Sequence, residues 1–245
     1  MITLRHIPRA FFLLTLLALS ACGGRQQRPD QLAPDVLYQR GTEAFEAGRH
    51  ARAIEFLQPF VLQHIGDPRM PDALYTLGSA FMQRREFISA ASEFQRLAAD
   101  FPSHPQAVPA RLGTCEAYMQ LSPQPQLDQE YTHAALAHCE ALAISFPGAP
   151  EGEQASAHIA ELRGRLAQKA YETGMFYFRR RAYDASMVYF QEAVNSFPDT
   201  TVAPAALLRL YEAYTQVGYV EDAQEARERL LREYPQSAEA RGLRA

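Results

Sequence analysis

The apolar positions between residues 71 and 102 repeat with the period of two successive α-helices. Four small or apolar residues fall at i, i+3, i+4 and i+7, which places them on one face of a first helix: Leu74, Leu77, Gly78 and Phe81. Ala90 and Phe94 lie four residues apart on a second helix, and Pro102, which lacks a backbone N–H, closes the unit. A single pair of helices cannot bury such a face alone. The pattern therefore predicts neighbouring pairs with the same spacing.

The same signature recurs along the chain. Four second helices are predicted to end at an aromatic residue followed by proline: Phe101-Pro102, Phe146-Pro147, Phe197-Pro198 and Tyr234-Pro235. A small residue stands 12 positions before each proline, where the paired helices must approach: Ala90, Ala135, Ser186 and Ala223. A first unit begins near Asp35, and its exit at residues 64–68 is irregular. The spacing is that of tetratricopeptide repeats, which are about 34 residues long, and it predicts five of them.

Two insertions interrupt the repeats. Successive exit prolines are 45, 51 and 37 residues apart, so the third repeat and the connection to the fourth are both lengthened. Residues 122–127 are predicted to extend the turn inside the third repeat, and residues 151–180 to form either one long helix or two joined near Lys169. We therefore expect an all-α tetratricopeptide solenoid of about five helix-turn-helix units in two modules, residues 35–147 and 148–245.

The amino-terminal segment carries a different pattern. Two arginines precede an apolar run that is typical of a secretory signal and too short to span a bilayer of about 30 Å. The sequence Leu19-Ser20-Ala21-Cys22 resembles the bacterial lipobox, in which the cysteine thiol receives a lipid. We interpret residues 1–21 as a lipoprotein signal peptide, Cys22 as the lipid attachment site and residues 22–34 as a flexible tether. The alternative is an ordinary secretory signal with an incidental cysteine.

Gly23 after the cysteine resembles an outer-membrane address in a two-membrane bacterium. The protein is therefore expected at the periplasmic face of the outer membrane, anchored by lipid without crossing the bilayer.

Composition and motifs argue against several function classes. The net charge is −4 and the chain has no strongly basic patch, which argues against a nucleic-acid partner. His133 and His138 are five residues apart and fall on different helical faces, with no ligand cluster to complete a metal site. The sequence contains no nucleophile–base motif, phosphate-binding loop or HExxH motif. We expect neither an enzyme nor a bound cofactor.

Cys115 and Cys139 are the cysteines that remain beside Cys22. An oxidising periplasm permits a disulfide between them. In a regular antiparallel hairpin, however, Cys139 faces a residue about one turn before Cys115, whereas a disulfide needs Cα atoms within about 7 Å. Two buried thiols are therefore the favoured interpretation, and a bridge is the alternative.

Repeat geometry predicts a peptide-binding groove on the face lined by the first helices. Six side chains are expected to point into it: Tyr38, Thr42, Phe45, Tyr75, Ser79 and Met82. Aromatic and methionine side chains suit an extended peptide with alternating apolar residues. The alternative is that they pack against a neighbouring helix or the tether.

Arg179, Arg180 and Arg181 form a local basic cluster, for which a solvated turn is favoured over a contact with an acidic partner or lipid headgroups.

The order of insertions resembles one known family, the BamD lipoproteins of the outer-membrane β-barrel assembly machinery. The resemblance covers most of the chain after residue 21. Upstream, Leu37-Tyr38 and Pro102-x-His104-Pro105 fit, and the other matching residues begin at Asp128. They are Asp128-Gln129-x-Tyr131-Thr132, Ile159-x2-Leu162-Arg163-x2-Leu166-Ala167-x-Lys169, Gly174-x-Phe176-Tyr177-x2-Arg180-x2-Tyr183-x-Ala185 and Phe197-Pro198-Asp199-Thr200. The sequence departs from the family at Tyr189, where many members have arginine, and at the exit of the first repeat.

The resemblance implies a scaffold that binds other proteins. Its expected partners are the periplasmic domains of the barrel-forming assembly protein, other assembly lipoproteins and unfolded outer-membrane proteins. The candidate contacts for the first of these are Arg180, Tyr183 and Tyr189 in the carboxy-terminal module. Alternatives are a pilotin-like lipoprotein that escorts secretin subunits, a tetratricopeptide lipoprotein that coordinates the cell envelope, and an enzyme with an appended repeat module, for which no residues remain to build a second domain.

Overall fold

A computed structural model describes residues 28–244 of the chain, and within that range it contains helices and no strands. A short 3-10 helix at Pro29–Gln31 precedes the α-helices. These are α1 (Pro34–Glu46), α2 (His50–Gln63), α3 (Met70–Gln83), α4 (Phe87–Asp100), α5 (Ala107–Leu121), α6 (Glu130–Ser145), α7 (Pro150–Arg179), α8 (Tyr183–Ser196), α9 (Ala203–Val217), α10 (Val220–Glu233) and α11 (Ala238–Gly242).

Each helix packs mainly against the next one in the chain, which is the arrangement of a tetratricopeptide solenoid. The pairs α1–α2, α3–α4 and α5–α6 form three repeats, and α9–α10 forms the fifth. The fourth pairs α8 with the second half of α7. The predicted all-α repeat fold is confirmed. The alternative left open for residues 151–180 is settled in favour of one helix, because α7 runs without a break for 30 residues.

The core of the second repeat shows why the sequence needs glycine there. Phe94 on α4 is buried, and its ring lies between α3 and α5. A Cβ atom added at Gly78 would lie 2.7 Å from the ring, and one at Gly113 would lie 2.6 Å from it. The two glycines therefore leave the space that one aromatic ring fills, and the ring joins the second repeat to the third.

The tight turns inside four repeats use a residue in the left-handed backbone region. Gly48 and Gly218 adopt φ values of 69° and 87° in the first and fifth repeats. Arg85 and Arg181 adopt φ values of 61° and 60° in the second and fourth. Left-handed geometry costs a non-glycine residue about 1 kcal/mol or more, and the turn imposes it on both arginines.

The cysteine expectation is wrong. Cys115 and Cys139 form a disulfide that joins α5 to α6, with Cα atoms 5.1 Å apart. Cys115 lies six residues before the end of α5, and Cys139 lies nine residues after the start of α6. The eight-residue connection at 122–129 allows this offset, because the two helices do not have to meet end to end. The regular hairpin register that argued against the bridge does not apply.

The described part of the chain begins inside the segment predicted as a tether. The 3-10 helix packs on α2, and Leu32 packs against the core of the first two repeats. The predicted signal peptide and Cys22 lie outside the described residues. Within residues 28–244, no helix is both long and apolar enough to cross a membrane.

Candidate binding surfaces

The second-repeat residues predicted to line a groove do lie together. Tyr75, Ser79 and Met82 project from α3 into a groove of about 410 Å³. Its remaining walls come from α3, α4, α5 and the first turn of α7: Gln83, Phe94, Pro109, Leu112, Gly113, Glu116, Glu151 and Gln154. We call this the α3–α5 groove.

The α3–α5 groove is apolar at its base and acidic at its rim. The Tyr75 ring packs on Phe94 with the ring centroids 5.7 Å apart, which fixes the tyrosine against the core. Burial raises the pKa of Tyr75, and the nearby carboxylates of Glu116 and Glu151 raise it further. Tyr75 therefore stays a neutral hydrogen-bond donor, and the groove offers aromatic and methionine surface beside carboxylate acceptors.

The first-repeat residues do not line this groove. Tyr38 is half-buried against Phe60, at a centroid separation of 5.6 Å, and the Arg69 guanidinium lies 5.0 Å from its ring centre. The Thr42 hydroxyl donates to the backbone carbonyls of its own helix, and Phe45 meets the His50 ring edge-on. Each of these three side chains is thus engaged with α1, α2 or the turn before α3.

The carboxy-terminal candidates lie where α7 ends and α8 begins. Tyr189 stacks on Tyr177, with the rings 5.5 Å apart and nearly parallel. Tyr183 meets Phe178 edge-on, with the ring planes at 74°, in the adjoining turn. Arg180 lies 3.5 Å from the centre of the exposed Phe176 ring and donates to the Phe176 carbonyl at 3.0 Å. Phe176 also meets Tyr177 edge-on, with the ring centroids 5.2 Å apart, so Arg180 and Tyr189 belong to one aromatic surface, which we call the α7–α8 surface. Tyr183 instead packs against the core of the fourth and fifth repeats.

This surface is basic as well as aromatic. Arg179, Arg180 and Arg181 are all exposed, as the prediction of a solvated turn requires. A guanidinium stacked on an aromatic ring keeps its charge and most of its edge donors available. The arrangement suits an acidic, partly apolar protein segment.

A second groove, of about 580 Å³, adjoins the α7–α8 surface. It is lined by Gln126, Lys169, Tyr171, Glu172, Thr173, Met175, Phe176 and Arg179. One wall is the inserted connection of the third repeat, which α7 holds in place. The Lys169 ammonium donates to the carbonyls of Gln126 and Leu127 at 3.0 and 3.2 Å, and the Gln126 amide donates to Glu172 at 2.6 Å.

Buried polar side chains order the inserted connection from within. The buried Thr132 hydroxyl donates to the Gln129 side-chain carbonyl at 2.7 Å. The Gln129 amide then donates to the carbonyls of Gln124 and Leu127 at 2.9 and 3.0 Å. These residues give the connection a defined shape, so it forms a wall of the groove.

Metal-ligating side chains are scattered rather than clustered in residues 28–244. In the part of the chain that the structure describes, no group of three or more His, Cys, Asp or Glu side chains could hold a metal ion. His138 packs flat on Tyr118, at a centroid separation of 5.1 Å, and burial lowers its pKa. The histidine is thus held in its neutral form as part of the packing between α5 and α6.

The family follows from a comparison with known proteins. The model of a family described as YfiO, outer membrane lipoprotein, matches residues 30–230. The chain belongs to this family. The match covers the first four repeats, the inserted connection and most of the fifth repeat, and it agrees with the resemblance inferred from the insertions.

Relatives cover most of the chain. It is 28% identical to the outer membrane protein assembly factor BamD of Vibrio cholerae, over 90% of this chain and 96% of that protein. It is 22% identical to the BamD of Caulobacter vibrioides, over 86% of this chain and 70% of that protein. A solved tetratricopeptide protein from Bacteroides fragilis is similar over 86% of this chain and 95% of its own, at 16% identity and a TM-score of 0.48.

Sequence reasoning missed three features of these surfaces. The disulfide and the Lys169 contacts depend on where the inserted connection folds, which spacing does not reveal. The first-repeat candidates Tyr38 and Phe45 were assigned to a groove because their helical register matches that of the second repeat. Tyr38 instead packs beside the Arg69 guanidinium, and Arg69 lies in the irregular exit of the first repeat.

Proposed function

We propose that the chain is a lipid-anchored scaffold of the outer-membrane protein assembly machinery. Its family membership and the names of its relatives support a role in outer-membrane protein assembly. The anchor would be a lipid on Cys22, and the repeats would lie at the periplasmic face. Binding, rather than catalysis, would be the chain's contribution.

The α7–α8 surface is the proposed site for the periplasmic domains of the barrel-forming assembly protein. The observation that carries this assignment is the combination of an exposed arginine cluster with stacked tyrosines, since aromatic and arginine side chains dominate protein interfaces. Tyr189, which stands where many family members have arginine, would act through its stack on Tyr177. The positive charge at this contact would come from Arg180 instead.

The α3–α5 groove is the proposed site for unfolded outer-membrane proteins. Its apolar base and carboxylate rim suit an extended strand in which apolar and polar residues alternate. Other assembly lipoproteins are further proposed partners, and the second groove, beside the inserted connection, is large enough for an extended segment.

Capture from native envelopes tests the assignment of the two sites. The full-length chain is used as bait in mild detergent, with the variants Arg180→Glu and Tyr189→Ala and the control Arg227→Glu on α10. We expect both test variants to lose the barrel-forming protein at least tenfold relative to the control. Equal capture by all three would reject the α7–α8 surface as the contact. Capture of secretin subunits instead would reject the assembly role.

Photo-cross-linking tests the α3–α5 groove as the site for unfolded outer-membrane proteins. Tyr75 is replaced by a photoreactive amino acid, with Tyr219, an exposed tyrosine at the start of α10, as the matched position. Adducts with an unfolded outer-membrane protein should form at Tyr75 and not at Tyr219. Equal adduct yields at the two positions would contradict the groove assignment.

A further inference from the structure

The first repeat departs from the others at one edge of the solenoid. Each second helix ends in a residue with φ between −121° and −137° and ψ between 49° and 57°. These residues are His64, Phe101, Phe146, Phe197 and Tyr234. His64 is thus the structural equivalent of the exit aromatic, and Ile65 stands where the other four repeats have proline.

Two apolar side chains at this exit are exposed to solvent. His64 packs inward against Phe60, at a centroid separation of 5.6 Å. Ile65 is 69% exposed, and Leu62, one turn earlier, is 65% exposed. An isolated exposed leucine is ordinary. A leucine and an isoleucine together at the end of one helix form a small apolar tip, which we call the first-repeat tip.

The tip lies at the end of the repeat to which the amino-terminal chain is attached. Tyr38 near the start of α1 packs on Phe60 near the end of α2, and the Arg69 guanidinium bonds Asp35 at 2.9 Å. The 3-10 helix before α1 also packs on α2. The chain therefore leaves the described structure beside the tip.

The distance from this point to the lipid site is short. Six peptide steps separate Cys22 from Arg28, and six extended residues span at most about 20 Å. A lipid on Cys22 would hold the tip close to the membrane whatever path those residues take. This limit follows from chain length alone.

The charges around the tip permit contact with a phospholipid surface. Asp67 lies in the same exit, and Arg69 bonds its carboxylate at 2.7 Å as well as that of Asp35. One guanidinium thus bonds both carboxylates and offsets one of their two negative charges, which lowers their repulsion by anionic headgroups. Arg28, the first described residue, adds an exposed positive charge.

We propose that Leu62 and Ile65 insert into the surface of the bilayer that carries the lipid anchor. This inference rests on the proposed lipidation of Cys22 and adds a second membrane contact from the folded domain. The two contacts together fix the orientation of the first repeat relative to the membrane, which a flexible tether alone cannot do. The partner of the tip is a phospholipid surface.

The cysteine content of the chain makes a direct test practical. With a lipid on Cys22 and a disulfide between Cys115 and Cys139, a newly introduced cysteine is the only free thiol. Leu62→Cys and Ile65→Cys are labelled with a polarity-sensitive fluorophore. The lipidated full chain is placed in phosphatidylethanolamine–phosphatidylglycerol vesicles that contain nitroxide-labelled lipid.

Ile144→Cys is the matched control. Ile144 is 80% exposed and lies two residues before Phe146, as Leu62 lies two residues before His64, but it belongs to the third repeat. We expect nitroxide quenching at positions 62 and 65 to exceed that at 144 at least twofold. Equal quenching at all three positions would overturn the proposal.

Vesicle flotation separates this proposal from the anchor on which it rests. A Cys22→Ser/Leu62→Asp/Ile65→Asp chain that still floats with vesicles rejects the lipid anchor, because neither proposed membrane contact remains in it. If the lipidated chain floats, Cys22→Ser does not, and positions 62 and 65 remain unquenched, the anchor stands and the tip contact is rejected. A Leu62→Asp/Ile65→Asp double variant is labelled through Gln63→Cys. It should still float with vesicles, but quenching at position 63 should no longer exceed quenching at position 144.

Discussion

At the scale of single residues, the ring of Phe94 sets the distance between the second and third repeats. It is buried between two glycines that have no side chain to fill its place. Phe94→Ala should therefore lower the free energy of unfolding by about 3–5 kcal/mol, because the cavity cannot collapse between two backbones. Urea unfolding measures the loss. Ile88→Ala, at an exposed position of the same helix, should change stability by about 0.5 kcal/mol or less.

Asp67 gives the first-repeat exit a predictable response to acid. The Arg69 guanidinium donates to its carboxylate at 2.9 and 2.7 Å and lowers the pKa of Asp67 to about 2. In the unfolded chain the pKa returns to about 3.9. The ion pair therefore contributes stability above about pH 4 that is lost as the pH falls towards 2.

The acid response is measured with Asp67→Asn. The variant should be less stable than the parent at pH 6, and the difference should shrink between pH 4 and pH 2 in urea titrations. Asp222→Asn, at an exposed position in the first turn of α10, is the control. A difference that stays constant over this range would contradict the assignment.

At the scale of helices, the disulfide between α5 and α6 stabilises the repeat that carries the inserted connection. The bridge joins residues 24 positions apart, and closing a loop of that length in the unfolded chain corresponds to about 3 kcal/mol. A reductant should lower the unfolding free energy of the parent by about this amount in chemical denaturation. A Cys115→Ala/Cys139→Ala chain should show no response. An equal response of both chains would argue against the bridge.

The helical pairs could be predicted from sequence because each depends on local spacing. Ala90, Phe94 and Phe190 are buried where the repeat register places them. The disulfide could not be predicted in the same way. Its register depends on eight connecting residues whose path is set by contacts such as that of Lys169, more than 40 residues away.

Some of the residues that carry the family resemblance have structural roles. Gln129 and Thr132 order the inserted connection. Arg163 on α7 bonds Asp199 and donates to the Ser196 carbonyl at 3.0 Å, which joins α7 to the exit of the fourth repeat. The motif thus identified the fold and the family. Which surfaces bind partners stays a prediction, because partly exposed side chains obey no spacing rule.

At the scale of the whole molecule, α7 couples the two modules. Leu162 packs in the core of the third repeat, and Ala170 packs in the core of the fourth. Between them, Leu166 and Ala167 contact Phe197 and the third-repeat residue Leu136. The boundary predicted near residue 148 stays a prediction, since one helix belongs to both cores.

Breaking α7 should therefore uncouple the modules. Ala167→Pro removes a backbone hydrogen bond in the helix interior, which costs about 3 kcal/mol or more, and should split one thermal transition into two. Gly164→Ala is the control, because its added Cβ has open space within 4 Å and should stabilise the helix by about 0.5–1 kcal/mol. A single transition in both variants, by calorimetry, would show that the repeats do not depend on a continuous α7.

Lys169 has a practical consequence for work on the intact envelope. It is the only lysine in the chain, and its ammonium is committed to two carbonyls of the inserted connection. Amine-directed reagents therefore have one side chain to attack, at a place where reaction would release the connection. Interaction maps built on lysine cross-linking would under-represent this protein, whereas carboxylate-directed or photoreactive probes would report its neighbours.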